Sequence, residues 1–213
     1  MQKVVKFGLV LLVLSALLSE VGLAQSFVTV KVGSFNPQDA KAGLIVGIST
    51  GRQVDERVDF GLGADLFLRK FTQETTVEDT AGGLIDPKQV QREIDYSLYA
   101  LPIMIQLNIR VLPQAVVIPY VGLAGGYEIV FSREANYYIT GDKDNRLYGG
   151  FGWQVMLGGE YPFGSASGVL AEIFYNGCRV SRNKGSSDLG FPISEELDFS
   201  GLGFRVGVRL SGL

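Results

Sequence analysis

The chain holds 213 residues, 28 of them Gly, with 19 Lys and Arg against 22 Asp and Glu, a formal net charge of −3 and no His. One domain of ordinary size fits this length, the glycine content disfavours a helical protein, and the acidic balance makes nucleic acid a poor partner. The absence of His removes Ser-His triads, His-ligated metals and His general bases together.

The N-terminus is a separate object. Lys3 and Lys6 precede an apolar run from Phe7 to Leu18, and Gly22-Leu23-Ala24 supplies small residues before Gln25. This layout predicts a secretory signal peptide over residues 1–24, since a bilayer span takes about 20 residues. Cys178 is the single cysteine, so no internal disulfide is expected. No later segment is apolar for long enough to cross a membrane as a helix, so any insertion has to use strands.

Residues 25–213 divide into eight runs with a period of two, the pattern of a strand with two unlike faces. Phe27 to Phe35 sets Val28, Val30 and Val32 against Thr29, Lys31 and Gly33. Gly43 to Gln53 sets Leu44, Val46 and Ile48 against Gly47, Ser49 and Gly51. Val58 to Phe71 places Phe60, Leu62, Leu66 and Leu68 opposite Asp59, Gly61, Gly63, Asp65 and Arg69. After a polar stretch from Thr72 to Asp95, the run Tyr96 to Arg110 carries Tyr99, Leu101, Ile103, Ile105, Leu107 and Ile109 on one face. Pro102, Gln106, Asn108 and Arg110 lie on the other, and Pro102, which lacks an N–H, predicts a bulge or an unpaired amide position.

Pro119 to Phe131 opposes Val121, Leu123, Tyr127 and Ile129 to Gly122, Ala124, Gly126 and Glu128, and a loop is expected around Gly141 to Asn145. Leu147 to Tyr161 opposes Phe151, Trp153, Val155 and Leu157 to Gly152, Gln154, Gly158 and Glu160. Val169 to Arg179 opposes Ala171, Ile173 and Tyr175 to Glu172, Phe174, Asn176 and Cys178, with a loop predicted over 181–198. The last run, Phe199 to Ser211, separates most cleanly: Leu202, Phe204, Val206, Val208 and Leu210 against Gly201, Gly203, Arg205, Gly207 and Arg209.

Most charges within the runs lie on the face opposite the apolar one. The set is balanced: Asp59, Asp65, Glu128, Glu160 and Glu172 against Lys31, Arg69, Arg110, Arg205 and Arg209. A soluble, lipocalin-like secreted barrel would turn the apolar face inward and leave a glycine-rich face in water, although glycine weakens strands and packs nothing. A membrane barrel turns the apolar face to lipid and closes the charges inside. Buried charges need partners, and an eight-stranded interior is only wide enough for side chains to fill it. Connections near residues 55, 113 and 165 are short and those at 72–95, 132–146 and 181–198 longer, the alternation of periplasmic turns and external loops. The expected fold is therefore all-β, an eight-stranded antiparallel up-and-down transmembrane β-barrel over residues 25–213 with both termini on the periplasmic side.

Pro119-Tyr-Val-Gly-Leu-Ala-Gly-Gly-Tyr127, Leu170-Ala-Glu-Ile-Phe-Tyr175 and Gly201-Leu-Gly-Phe-Arg-Val-Gly-Val-Arg209 resemble the small eight-stranded outer-membrane barrels of the OmpA/OmpX type, the outer membrane protein β-barrel domain family. The resemblance runs from Ser26 to Leu213. It implies location in a bacterial outer membrane, lipid as the surrounding partner and the barrel assembly machinery as the partner of insertion. It also implies a structural, surface-contact or narrow-pore role for water, ions or small solutes. Members usually end in an aromatic residue, where this chain ends in Leu213, and a wall-anchoring domain is not expected.

A monomer without catalytic, metal or cofactor residues is expected. The segment Asp142-Lys-Asp-Asn145 lacks the later glycine and glutamate of a calcium loop. Gly201-Leu-Gly203 lacks the third glycine of a dinucleotide fingerprint, its place being taken by Val206.

Overall fold

The computed structural model describes residues 25–77, 89–136, 142–164, 166–186 and 192–212; the expected signal peptide, the connections between these stretches and Leu213 lie outside them. Nine strand segments follow one another: β1 Ser26–Pro37, β2 Gly43–Asp55, β3 Val58–Val77, β4 Gln89–Arg110, β5 Ile118–Asn136, β6 Asp142–Phe163, β7 Ser167–Ser186, β8 Pro192–Asp198 and β9 Gly201–Ser211. Each pairs antiparallel with its sequence neighbour from β1 to β7, and β9 closes the ring by pairing with both β7 and β1.

Segments β8 and β9 are two legs of one strand. Both pair with β7, and the register is the same on either side of the interruption, with Asp198 opposite Arg179 and Gly201 opposite Asn176. The break is local. The Ser200 hydroxyl accepts a hydrogen bond from the Cys178 amide at 3.1 Å and donates to the Cys178 carbonyl at 3.2 Å, standing in for a backbone rung. The structure is thus an eight-stranded closed barrel.

Closure explains why these sequences form strands at all. The exposed face of each strand is apolar, with Val30, Val32, Leu62, Ile105, Leu123, Trp153, Ile173, Phe204 and Val208 all exposed, while Lys31, Asp59, Asp65, Glu128, Glu172, Arg205 and Arg209 are buried. Such an inverted surface is unfavourable in water and matches hydrocarbon. Tyr99, Tyr127, Phe131, Phe151, Trp153, Tyr161 and Tyr175 all stand on this outer face, where aromatic rings anchor a barrel at the membrane boundaries.

Gln25 and Gly212 share one end of the barrel with the two-residue turn at Glu56-Arg57 and with Gly164, which takes φ +73°, a conformation that glycine adopts without a Cβ clash.

Three expectations change. The polar stretch from Thr72 to Asp95 is largely strand, because β3 runs on to Val77 and β4 starts at Gln89. Likewise Asp142 to Asn145 begins β6, and most of 181–198 is strand in β7 and β8. Periodicity fails there because strands standing beyond the membrane meet water on their outer face. Pro102 meets its second alternative, an unpaired position: the β3–β4 ladder skips Asp65 and Leu66 without a bulge and resumes in the same register, while Pro102 stays opposite Glu128 on β5.

Candidate functional site

Among the described residues the buried ionisable side chains converge in the lumen, and strand parity brings them there. Eight of the ten charges singled out in the sequence form two groups, each with two cations and two anions. Lys31 on β1, Asp65 on β3, Glu172 on β7 and Arg205 on β9 make the group nearer mid-barrel. The Arg205 guanidinium reaches Asp65 at 2.6 Å and Glu172 at 2.7 Å, and Lys31 Nζ reaches Glu172 at 3.1 Å. Nearer the termini, Arg209 meets Asp59 at 2.7 Å and Glu160 at 3.8 Å, and Arg110 meets the same two carboxylates at 3.2 and 3.6 Å. Each quartet is neutral in itself, the condition under which burying its ions is tolerable.

Neighbouring side chains complete the quartets. The Tyr120 hydroxyl donates to Glu172 at 2.6 Å. Arg205 also donates to Gln154 at 3.4 Å and lies 4.1 Å above the Phe174 ring, and Arg209 lies 3.8 Å above Phe27. Glycine on the facing strand makes the room: a Cβ on Gly47 would collide with the Asp65 carboxylate, and one on Gly203 with the Phe174 ring. Inward parity marks Tyr120, Gln154 and Phe174 in the sequence, but only the barrel's diameter shows that they reach the arginines.

The other two charges stand apart. Arg69 lies one inward step beyond Phe67 and makes no ion pair among the described residues, its buried Nε without a hydrogen-bond partner. Glu128 is fully buried, beside Asn176 and Cys178, and forms no ion pair among the described residues. The two glutamates should therefore respond oppositely to loss of charge. Glu128→Gln, which removes a charge with no cationic partner, is expected to leave the urea unfolding midpoint unchanged or raise it. Glu172→Gln, which leaves Lys31 and Arg205 with one carboxylate between them, is expected to lower it by about 3 kcal/mol. Equal midpoints for the two variants would refute this division of the lumen.

Beyond the quartets, toward the external end, the lumen turns apolar. Phe35, Phe67 and Phe199 meet edge to face with ring centroids 5.3–5.7 Å apart, and Phe174 stacks on Phe35 at 5.5 Å. Ile45, Leu98, Val130 and Val180 join this cluster. No reading of the alternation identified it. Its members occupy the inward face that elsewhere is polar, and the signal was the inward parity of Phe35 and Phe67 themselves. The layers stack along the tube. Between the quartets lies a cavity of about 20 Å³, lined by Lys31, Asp59, Arg110, Tyr120, Glu160 and Arg209 among others, room for a single water. A concavity of about 710 Å³ lies on the outer wall among Val30, Val32, Val46, Val169, Val206 and Val208, a surface that faces lipid. No group of three or more metal-ligating side chains occurs among the described residues.

Comparison with known proteins bears on the fold. No family model and no curated protein matches the chain. Solved structures do. A major outer membrane protein from Thermus thermophilus superposes with a TM-score of 0.56 at 10% identity, over 89% of this chain and 99% of that one. OprG from Pseudomonas aeruginosa gives 0.53 at 12%, over 88% and 96%. Ail, the attachment invasion locus protein of Yersinia pestis, in complex with the heparin analogue sucrose octasulfate, gives 0.50 at 11%, over 88% and 98%. The chain therefore has the fold of the bacterial outer-membrane barrels.

Proposed function

We propose that this protein is an integral outer-membrane barrel with a closed lumen, non-catalytic, whose role is structural or lies in contacts made at the cell surface. The observation that carries this reading is the stack of layers across the lumen, two neutral ion quartets and an aromatic cluster, with a cavity of only about 20 Å³ between the quartets. Lipid surrounds the apolar wall, the barrel assembly machinery inserts it, and a monomer suffices because the ring has no free edge at membrane depth. The strands that run past the apolar band, β3 to β7, carry the connections toward the exterior.

Planar-bilayer recording of the purified protein tests this. Wild type and Arg205→Ala are both expected to show no unitary currents, while heat-modifiable mobility on gels confirms that each is folded. Currents in the wild type that change in size in Arg205→Ala would replace the closed barrel with a narrow pore gated by the upper quartet. Recovery of the folded protein without detergent would instead restore the soluble-barrel reading.

A further inference from the structure

One row of side chains on the outer wall differs from the rest. Lys70, Ser97, Arg133 and Asn145 are direct cross-strand partners in succession on β3, β4, β5 and β6. All four occupy the face that carries the apolar residues lower down. The row immediately beneath, on the same face, is Leu68, Tyr99, Phe131 and Leu147, again partner to partner. Polarity thus changes completely within one step of the pleat, from an aromatic-aliphatic row to one with two cations, a hydroxyl and a carboxamide.

The cations are available. Lys70 and Arg133 are exposed, and among the described residues neither makes an ion pair, hydrogen bond or ring contact. Arg179, on the same outer face of β7, differs in being paired with Asp198 at 3.5 Å. At the opposite end of the barrel, Arg52 and Arg57 stand in or beside a turn that also holds Asp55 and Glu56, so their charge is offset locally. Strands lie about 4.8 Å apart, which places the backbones of Lys70 and Arg133 roughly 10 Å from each other with Ser97 between. Two long side chains at that separation can converge on one phosphate, and the hydroxyl between them can donate to it.

We propose that Lys70, Ser97, Arg133 and Asn145 seat the phosphorylated headgroup of a lipid in the outer leaflet, with its acyl chains lying against Leu68, Tyr99, Phe131 and Leu147. The two rows are what commit the site to an amphiphile: a soluble anion would engage the upper one alone, and an uncharged lipid the lower one alone. Aromatic residues at the boundary and cations just beyond it follow the physics of a membrane interface. The proposal goes beyond the closed-barrel reading and does not depend on whether the lumen conducts.

The test uses the full protein in phosphatidylcholine nanodiscs containing a minor fraction of bis-phosphorylated lipid A, with the lipid A retained per barrel as the readout. Wild type is expected to enrich lipid A, and Lys70→Gln with Arg133→Gln to lower that enrichment roughly 25-fold, about fivefold for each cation. Arg52→Gln with Arg57→Gln is expected to leave it unchanged. Equal losses in the two double variants, or none in the first, would overturn the site. So would wild-type retention that ignores added salt, a measurement that stands even if a variant fails to fold. Competition by glucosamine bisphosphate without acyl chains, at the same concentration as the lipid, would reassign the row to a soluble anion and overturn the lipid.

Discussion

Arg205→Ala is expected to lower the free energy of unfolding by about 3–5 kcal/mol, measured as the urea midpoint of the heat-modifiable form in lipid vesicles. The guanidinium is fully buried and holds Asp65 at 2.6 Å and Glu172 at 2.7 Å. Removing it strands two carboxylates against the single ammonium of Lys31 and empties the space above Phe174. The cost is chiefly that of the anion left behind, so a paired change should recover most of it. Arg205→Met with Asp65→Asn keeps the bulk, leaves Lys31 and Glu172 balanced, and is expected to return to within about 1–2 kcal/mol of the wild type. If the double variant is no more stable than Arg205→Ala, the quartet is not the unit of stability.

Phe67→Ala should be comparably severe for a different reason. Phe67 is fully buried and touches Phe35 and Phe199 edge to face at 5.7 and 5.4 Å. Truncation leaves a void that the rigid ladder around it cannot collapse to fill, at a cost of about 3–5 kcal/mol. Phe67→Leu, which retains most of the volume, is expected to lose less than half of that. Neither variant should conduct, since the quartets beneath still close the tube. A stability loss equal for Ala and Leu would mean that the aromatic layer contributes through ring geometry rather than through filled space.

How far these features were legible differs from strand to strand. Within the membrane the outer face of Phe199 to Ser211 must be apolar and the inner face must pair its charges. The alternation of Leu202, Phe204 and Val206 with Gly203 and Arg205 therefore reports both the strand and its orientation. The same reasoning located Asp59, Asp65, Glu172 and Arg209 inside. It could not say which charges meet, because partners such as Arg209 and Asp59 lie 150 positions apart in the chain and are matched only by the stagger of the closed ring. Glu128 and Arg69 show the limit most clearly. Both obey the inward parity, but one lies at the level of Cys178 and the other past Phe67, where the quartets do not reach. Nor did alternation mark the ends of β3, β4 and β7. Beyond Leu68 the outer wall is wet, so Lys70 and Arg133 occupy positions that deeper in the membrane belong to Val or Leu.

One arginine of each quartet, Arg205 and Arg209, is carried by β9, the final segment in chain order, and their acids on β3 lie 140 and 150 positions earlier. Until β9 seats against β1 these partners face an open, hydrated trough, and no ion pair across it can form. The pairs that join β9 to β3 are therefore complete only once the ring closes, whereas Arg205–Glu172 and Arg110–Asp59 join neighbouring strands. Interactions absent from a transition state slow only the return over it. The pairs completed at closure are thus expected to lengthen the life of the finished barrel more than they speed its assembly.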